Sequence, residues 1–289
     1  DYAAWLGVPQ EDDAKQTIDA LGSEIQDWLI VDHYALDARW EKALRPYAKK
    51  LMVVDGLANR RHDCDLLLDQ NYTLSGAKRW KHLVPDTCNC YVGPEYALLR
   101  PEFAEQRAHS CERKGIIRHI LISFGGVDPT NATSKALEAV IDLNRPDIQI
   151  EAILGSKNIH FDAIENIYGH KENVSLHRKT SEMAALMAKA DIAIGAGGTM
   201  MWERCFMGLP SLVIILAVNQ RETSKAVHEF GGIINLGYDK DVSFFDIQYQ
   251  LDYLLNNPER VTFMEKRCHE LMGAKKQTGT TIICDALFR

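Results

Sequence analysis

The segment Gly195-Ala196-Gly197-Gly198-Thr199-Met200-Met201-Trp202-Glu203 gathers the residue types that hold a phosphorylated ligand. Paired glycines remove the side chains that would keep a ligand off the backbone. The N–H groups opening the following helix point outward with the helix dipole behind them. An anion, most simply a phosphate, suits Gly197, Gly198, Thr199 and Met200. Glu203, one turn into that helix, changes the expectation, because its carboxylate would repel an adjacent diphosphate yet accept both hydroxyls of a ribose. A nucleotide therefore fits better than bare phosphate. Glycines alone serve equally well in a tight strand-to-helix turn, so the neighbouring elements matter. The apolar run Leu212 to Leu216 is followed by Asn219 and Gln220, a polar pair at the carboxyl end of a neighbouring strand, where open α/β sheets place ligands.

Three further apolar runs end in an acid, at Asp32, Asp55 and Asp69. Such carboxylates either bind hydroxyls at a crevice edge or cap the next turn, and capping is the simpler role. Cys88 and Cys90 lie near His82, but no second Cys or Cys–His pair completes a zinc set, so the cysteines read as structural thiols. No metal site is expected.

The elements that position these groups alternate in the βα rhythm of parallel sheets. A helix over Gln10 to Leu21 leads into the strand Trp28 to Asp32, then a helix from Ala38 to Tyr47 and the strand Leu51 to Asp55. Short strands follow at Asp65 to Asp69 and Tyr91 to Gly93. A charged run from Arg100 to Gly115 reads as a linker. Beyond it Ile120 to Phe124 opens into Gly125-Gly126, and Thr130 or Asn131 is expected to cap a helix reaching Leu143. Strands are expected at Ile148 to Leu154, Val174 to His177, Ile192 to Ile194, Leu212 to Leu216 and Ile233 to Leu236. Asp246 to Leu255, Pro258 to Met272 and Thr278 to Phe288 form a C-terminal helical block. The expected fold class is α/β, with two Rossmann-like parallel-sheet domains, residues 1–112 and 113–289, facing a cleft. The first sheet reads as incomplete, because a helix before its first strand implies an earlier strand, and the sequence opens on Asp1 rather than Met.

Composition sets the outer bounds. At 289 residues, 46% hydrophobic and 25% charged, the chain can bury real cores. A net charge of −7, with only short basic runs such as Arg60-Arg61 and Lys275-Lys276 on the solvated surface, excludes nucleic acid as the expected partner. Seven scattered cysteines make no disulfide framework and indicate a reducing, cytoplasmic compartment. No apolar run of about 18 residues marks a membrane span. A monomer is expected.

Ser123 to Asp128, Gly195 to Glu203 and Ala217 to Gln220 together resemble the nucleotide-sugar half of glycosyltransferase-B-like proteins. Ile30-Val31-Asp32-His33-Tyr34, Asp63 to Asn71 and Gly93 to Arg100 resemble the UDP-2,4-diacetamido-2,4,6-trideoxy-β-L-altropyranose hydrolase family of pseudaminic acid biosynthesis, which serves flagellin glycosylation in bacteria. The resemblance runs from about Trp28 to the C-terminal region. It implies hydrolysis of a UDP-sugar by water attack at C1 with inversion, with neither metal nor cofactor. It further implies that Gly126 and the Gly197 to Met200 turn receive the nucleotide, that Lys179-Thr180 flank the uracil, and that Asn219 and Gln220 contact the sugar or phosphates. Tyr34 and Asn71 would face the sugar from the other domain.

That family carries a Gly-x-Gly-His-type loop near its start whose His is the favoured base, and no such segment occurs in this sequence. The candidates left for proton transfer are Asp32, His33 and Tyr34. An imidazole titrates near neutrality, a carboxylate accepts a proton, and a normal phenol is a poor base at pH 7. Three readings follow: a UDP-sugar hydrolase, a UDP-sugar glycosyltransferase of related architecture, or a UDP-binding module without catalysis.

Overall fold

The computed structural model describes residues 2–110, 112–273 and 278–288, so the Lys275-Lys276 run lies outside the described residues. The chain divides into two units, Asp1–Leu98 with Thr278–Arg289, and Leu99–Gln277. The boundary expected at 112/113 therefore falls inside the second unit.

The first unit contains α1 (Gln10–Leu21), β1 (Gln26–Val31), α2 (Ala38–Leu44), β2 (Ala48–Val54), β3 (Leu66–Asp69) and β4 (Asn89–Val92). Its strands run parallel in the order β1-β2-β3-β4. Side chains alternate across a strand, so Leu51, Val53 and Leu67 join Ala14, Trp40 and Leu44 on one face, while Met52, Leu66 and Leu68 turn to the other. A parallel sheet apolar on both sides needs cover on both sides. The cover on the second face is the last helix, Gly279–Leu287, which packs Ile283 there and accepts a 2.8 Å hydrogen bond from Trp28 Nε1 at Leu287 O.

The second unit runs through α3 (Pro101–His109), β5 (His119–Ser123), α4 (Ala132–Ile141), β6 (Gln149–Ile153), α5 (Phe161–Tyr168), β7 (Val174–His177), α6 (Met183–Lys189) and β8 (Ile192–Ala196). It continues through α7 (Met200–Phe206), β9 (Ser211–Ile215), α8 (Arg221–Phe230), β10 (Ile233–Tyr238), α9 (Phe244–Leu255) and α10 (Pro258–Leu271); the last helix is α11. The all-parallel sheet has the order β10-β9-β8-β5-β6-β7. From β5 the chain moves outward through β6 to β7, then restarts at β8 on the other side of β5 and proceeds to β10. That reversal makes the β5/β8 pair the topological switch point, outside whose carboxyl ends such sheets bind ligands.

Two local expectations are corrected and one is refined. The run read as a linker holds α3, started by Pro101 at its first turn and anchored by Phe103, which is fully buried; the charged residues around a single apolar anchor hid it. Asn131 is the cap residue of α4, one of the two expected, but its side chain makes no capping bond. It lies in the left-handed region, and the buried Asp128 carboxylate accepts from Ala132 N and Thr133 N, each at 2.9 Å. The C-terminal helices do not form one block, since α9 and α10 belong to the second unit and α11 to the first. No described helix is long and apolar enough to cross a membrane.

Candidate functional site

At the carboxyl ends of β5 and β8 two glycine loops emerge side by side. After β5, Gly125 takes φ +92, and a Cβ on Gly126 would meet nothing within 4 Å. After β8, Gly197 is closely held, because a Cβ there would stand 2.3 Å from Ser224 Oγ, a fully buried hydroxyl on α8. A Cβ on Gly198 would lie 3.4 Å from Gln220 Nε2, while Gln220 Oε1 accepts from Leu216 N at 3.0 Å. Thr199 sits at the cap position of α7 with no side-chain capping bond. Met201 N already donates to Gly198 O at 2.8 Å, so the amides of Gly198, Thr199 and Met200 are the ones without partners among the described residues.

Behind the loop stands Arg204, 1% exposed. Its Nη2 donates to Ala196 O at 2.7 Å and its Nε to Ser211 Oγ at 3.1 Å. Gly195 is glycine for this reason, since a Cβ would meet Ser123 O at 2.4 Å and Arg204 Nη1 at 2.8 Å. Burial pushes the Arg204 guanidinium below its ordinary value.

On α7, Glu203 keeps a side chain 16% exposed, with Arg100 Nη2 3.9 Å from its Oε1. Desolvation raises this carboxyl, and Arg100 and Arg204 oppose the rise. Asn219 is exposed, just after β9. Thr180 follows β7, two strands from the switch point, and its Oγ1 accepts from Glu182 N at 2.9 Å. Thus Gly126, Gly197, Gly198, Thr199, Met200, Glu203 and Gln220 gather around the β5/β8 end. Thr180 stands at the sheet's far edge.

In the first unit the strand-end acids divide by role. Asp55 is buried, with Leu57 N and Arg60 Nη2 each at 2.5 Å and His62 Nε2 at 3.3 Å. His62 Nδ1 meets the buried Glu41 at 2.6 Å. Asp69 receives Trp80 Nε1 at 2.9 Å, Arg79 Nε at 3.1 Å and Asn71 N at 3.0 Å. Both acids brace turns, as capping predicts. Asn71 turns its Nδ2 to Gly56 O at 3.3 Å, leaving its Oδ1 for a ligand.

Asp32 differs. Desolvation raises its carboxyl, Asp55 adds to the rise and His33 opposes it. No hydrogen bond reaches that carboxylate among the described residues. His33 Nδ1 accepts from Ala35 N at 3.1 Å, so the lone pair that a neutral base would use is occupied. Tyr34 packs its ring against Tyr2 and Trp5, at centroid distances of 5.0 and 6.3 Å.

The residues that sequence reasoning missed are Arg204, Ser224 and Arg100. Nothing in the local pattern signals them, because each acts on a residue of another element. The described cysteines are free thiols, Cys64 Sγ and Cys88 Sγ lying 3.6 Å apart, and Cys88 is pushed up to about 12 chiefly by its contact with Cys64. Among the described residues no group of three or more His, Cys, Asp and Glu is arranged for a metal ion.

Residues 120–278 match the glycosyltransferase family 28 C-terminal domain. The chain is 29% identical over 216 residues to the spore coat polysaccharide biosynthesis protein SpsG of Bacillus subtilis (strain 168), covering 74% of this chain and 63% of that protein. It is 25% identical over 210 residues to the UDP-2,4-diacetamido-2,4,6-trideoxy-β-L-altropyranose hydrolase of Campylobacter jejuni, covering 72% of this chain and 73% of that one. The UDP-GlcNAc 2-epimerase from Neisseria meningitidis, solved with UDP-GlcNAc, shares the fold with a TM-score of 0.64 at 14% identity, over 96% of this chain and 81% of that one. The two parallel-sheet units are of the glycosyltransferase-B-like kind.

Proposed function

The chain belongs to the glycosyltransferase family 28 through its C-terminal domain, and on that premise we propose that it is an enzyme acting on a UDP-sugar. The observation that supports this reading most is the coincidence, inside the matched domain, of the switch point with two glycine loops, three free amides and a half-buried glutamate. The diphosphate binds the amides of Gly198, Thr199 and Met200, approached through Gly126 and Gly197. Glu203 accepts the ribose hydroxyls, Asn219 and Gln220 reach the phosphates or sugar, and the segment at Thr180 flanks the base.

The reaction breaks the bond between sugar C1 and the diphosphate oxygen, and UDP leaves as the nucleophile's oxygen attacks C1. The nucleophile's proton needs an acceptor, a contribution typically worth about 10²–10⁴-fold. Asp32, with its raised and unengaged carboxylate, is preferred to His33, whose Nδ1 is occupied, and to Tyr34 and Asn71, which position the sugar. Family membership favours transfer of the sugar to an acceptor hydroxyl. Hydrolysis of a UDP-linked diacetamido sugar is the second reading, favoured by the likeness to the Campylobacter enzyme.

Calorimetric titration with UDP, followed by NMR of UDP-GlcNAc and of the UDP-linked diacetamido sugar, tests both. UDP binding is expected. Release of UDP in water alone marks hydrolysis, and release only with an added saccharide acceptor marks transfer. A folded chain that does not bind UDP overturns the proposal.

A further inference from the structure

Helix α9 buries Ile247, Leu251 and Leu254 in the core of the second unit, beside α4 and α10, one face of a helix at its natural spacing. Its other face carries Tyr249 and Tyr253, one turn apart, 72% and 43% exposed. Both line a groove of about 540 Å³ against the edge strand β10, within the size range of small-ligand sites.

The walls are polar and of mixed sign. Arg260 from α10 and Asp246 from the first turn of α9 supply opposite charges, and Asn235 and Gln250 supply amides. Asp246 is fixed by a capping box in which its Oδ2 accepts from Ser243 N at 2.7 Å, leaving Oδ1 free. Asn235 is fixed where the β10 register shifts, its Oδ1 accepting from Gly237 N at 3.0 Å and its Nδ2 left over. The groove is thus held open by the fold, with donors and acceptors already oriented.

β10 is an edge strand, the kind of element on which another strand can pair, but His228 stands at its backbone. Its Nδ1 lies 3.2 Å from Ile233 O and 3.3 Å from Asn235 N, the backbone groups an added strand would use. A phosphate is equally ill suited, since Arg260 is the single lining arginine and Asp246 carries the opposite charge. Two amphipathic aromatic rings flanked by amides, one acid and one arginine suit a ligand with apolar C–H faces and a rim of hydroxyls.

We propose that the groove between α9 and β10 is a saccharide-binding site, taking one or a few sugar residues, separate from the residues proposed to hold UDP. The test is retention of the full chain on immobilised oligosaccharides of hexose, N-acetylhexosamine and deoxyhexose types, with saturating UDP present so that glycan binding at the nucleotide residues is suppressed. At least one type is retained, and Tyr249→Ala and Tyr253→Ala each weaken it by about tenfold, the loss of one stacked ring. Tyr249→Phe, which keeps the ring, binds within about twofold of the unmodified chain. Circular dichroism establishes that each variant is folded. No retained saccharide, or retention unchanged in both alanine variants, overturns the proposal. Failure of UDP to bind counts against the nucleotide reading instead, because glycan retention is scored without UDP as well.

Discussion

Arg204 Nη2 donates to the Ala196 carbonyl at 2.7 Å from within the core, where among the described residues no carboxylate forms an ion pair with the guanidinium. A buried arginine without an acid partner bears a desolvation cost that its two hydrogen bonds only partly offset. Its position behind the glycine loop gives that cost a use, because it fixes the carbonyl from which the loop starts. Arg204→Met should therefore leave the denaturation midpoint near that of the native chain, with stability within about 1 kcal/mol or higher. UDP affinity should fall roughly tenfold as the loop loosens. Urea melts and calorimetry decide, and a collapse of stability with unchanged affinity would assign Arg204 to the fold alone.

The two glycine loops make opposite predictions. At Gly197 an added methyl meets Ser224 Oγ at 2.3 Å, so Gly197→Ala should cost about 1–3 kcal/mol of stability as well as UDP affinity. At Gly126 there is open space, so Gly126→Ala should melt like the native chain and lose affinity only by obstructing the ligand. Paired melts and titrations separate the two effects.

Glu203 provides a pH signature. Because desolvation raises its carboxyl, it gains a proton at a higher pH than an ordinary glutamate as the solution is acidified, and with the proton it ceases to accept from both ribose hydroxyls. UDP affinity should decline with acid earlier than UDP's own titration explains, and Glu203→Gln should remove that extra dependence. Glu203→Ala should weaken binding by about 1–3 kcal/mol.

His269 is held down to about 4 by burial first, then by Arg107 and Arg113. Between the ordinary value of 6.5 and about 4 the unfolded chain binds the proton and the folded chain does not, so stability falls as pH drops through that window. His269→Asn should flatten the acid limb of the second unit's melting profile.

His62 has the reverse sign. Burial alone would lower it, but Asp55 and Glu41 outweigh burial and raise it. Its contribution is complete below the unfolded value and fades as pH rises through the raised folded one. The first unit should lose stability on the alkaline side, and His62→Phe should cost it about 3–5 kcal/mol by leaving two buried acids with fewer partners. Differential scanning calorimetry across pH checks both histidines.

What could be read from sequence was whatever is local. The strands at Ile120, Ile192 and Leu212 and the turns at Gly126 and Gly197 are written in adjacent residues, and they locate the candidate nucleotide site. The roles of Arg204, Ser224 and Asp128 are not, since Arg204 and Asp128 hold backbone outside their own positions and Ser224 packs beside Gly197 from α8. Helix α3 was missed because it buries chiefly through Phe103, too little for a periodic signal. The face of α11 was legible in its spacing, but spacing cannot name the sheet that face will cover.

That last helix carries a consequence for inheritance. Residues 279–287 cover the sheet formed by residues 26–92, so a segment translated after the second unit finishes the unit translated before it. A premature stop codon near residue 277 would strip Ile283 from the second face of the early sheet and take the Leu287 carbonyl from Trp28, while sparing every strand of the later unit. A nonsense allele at that point would thus show as a defect of the first unit, although the codon lies beyond the second.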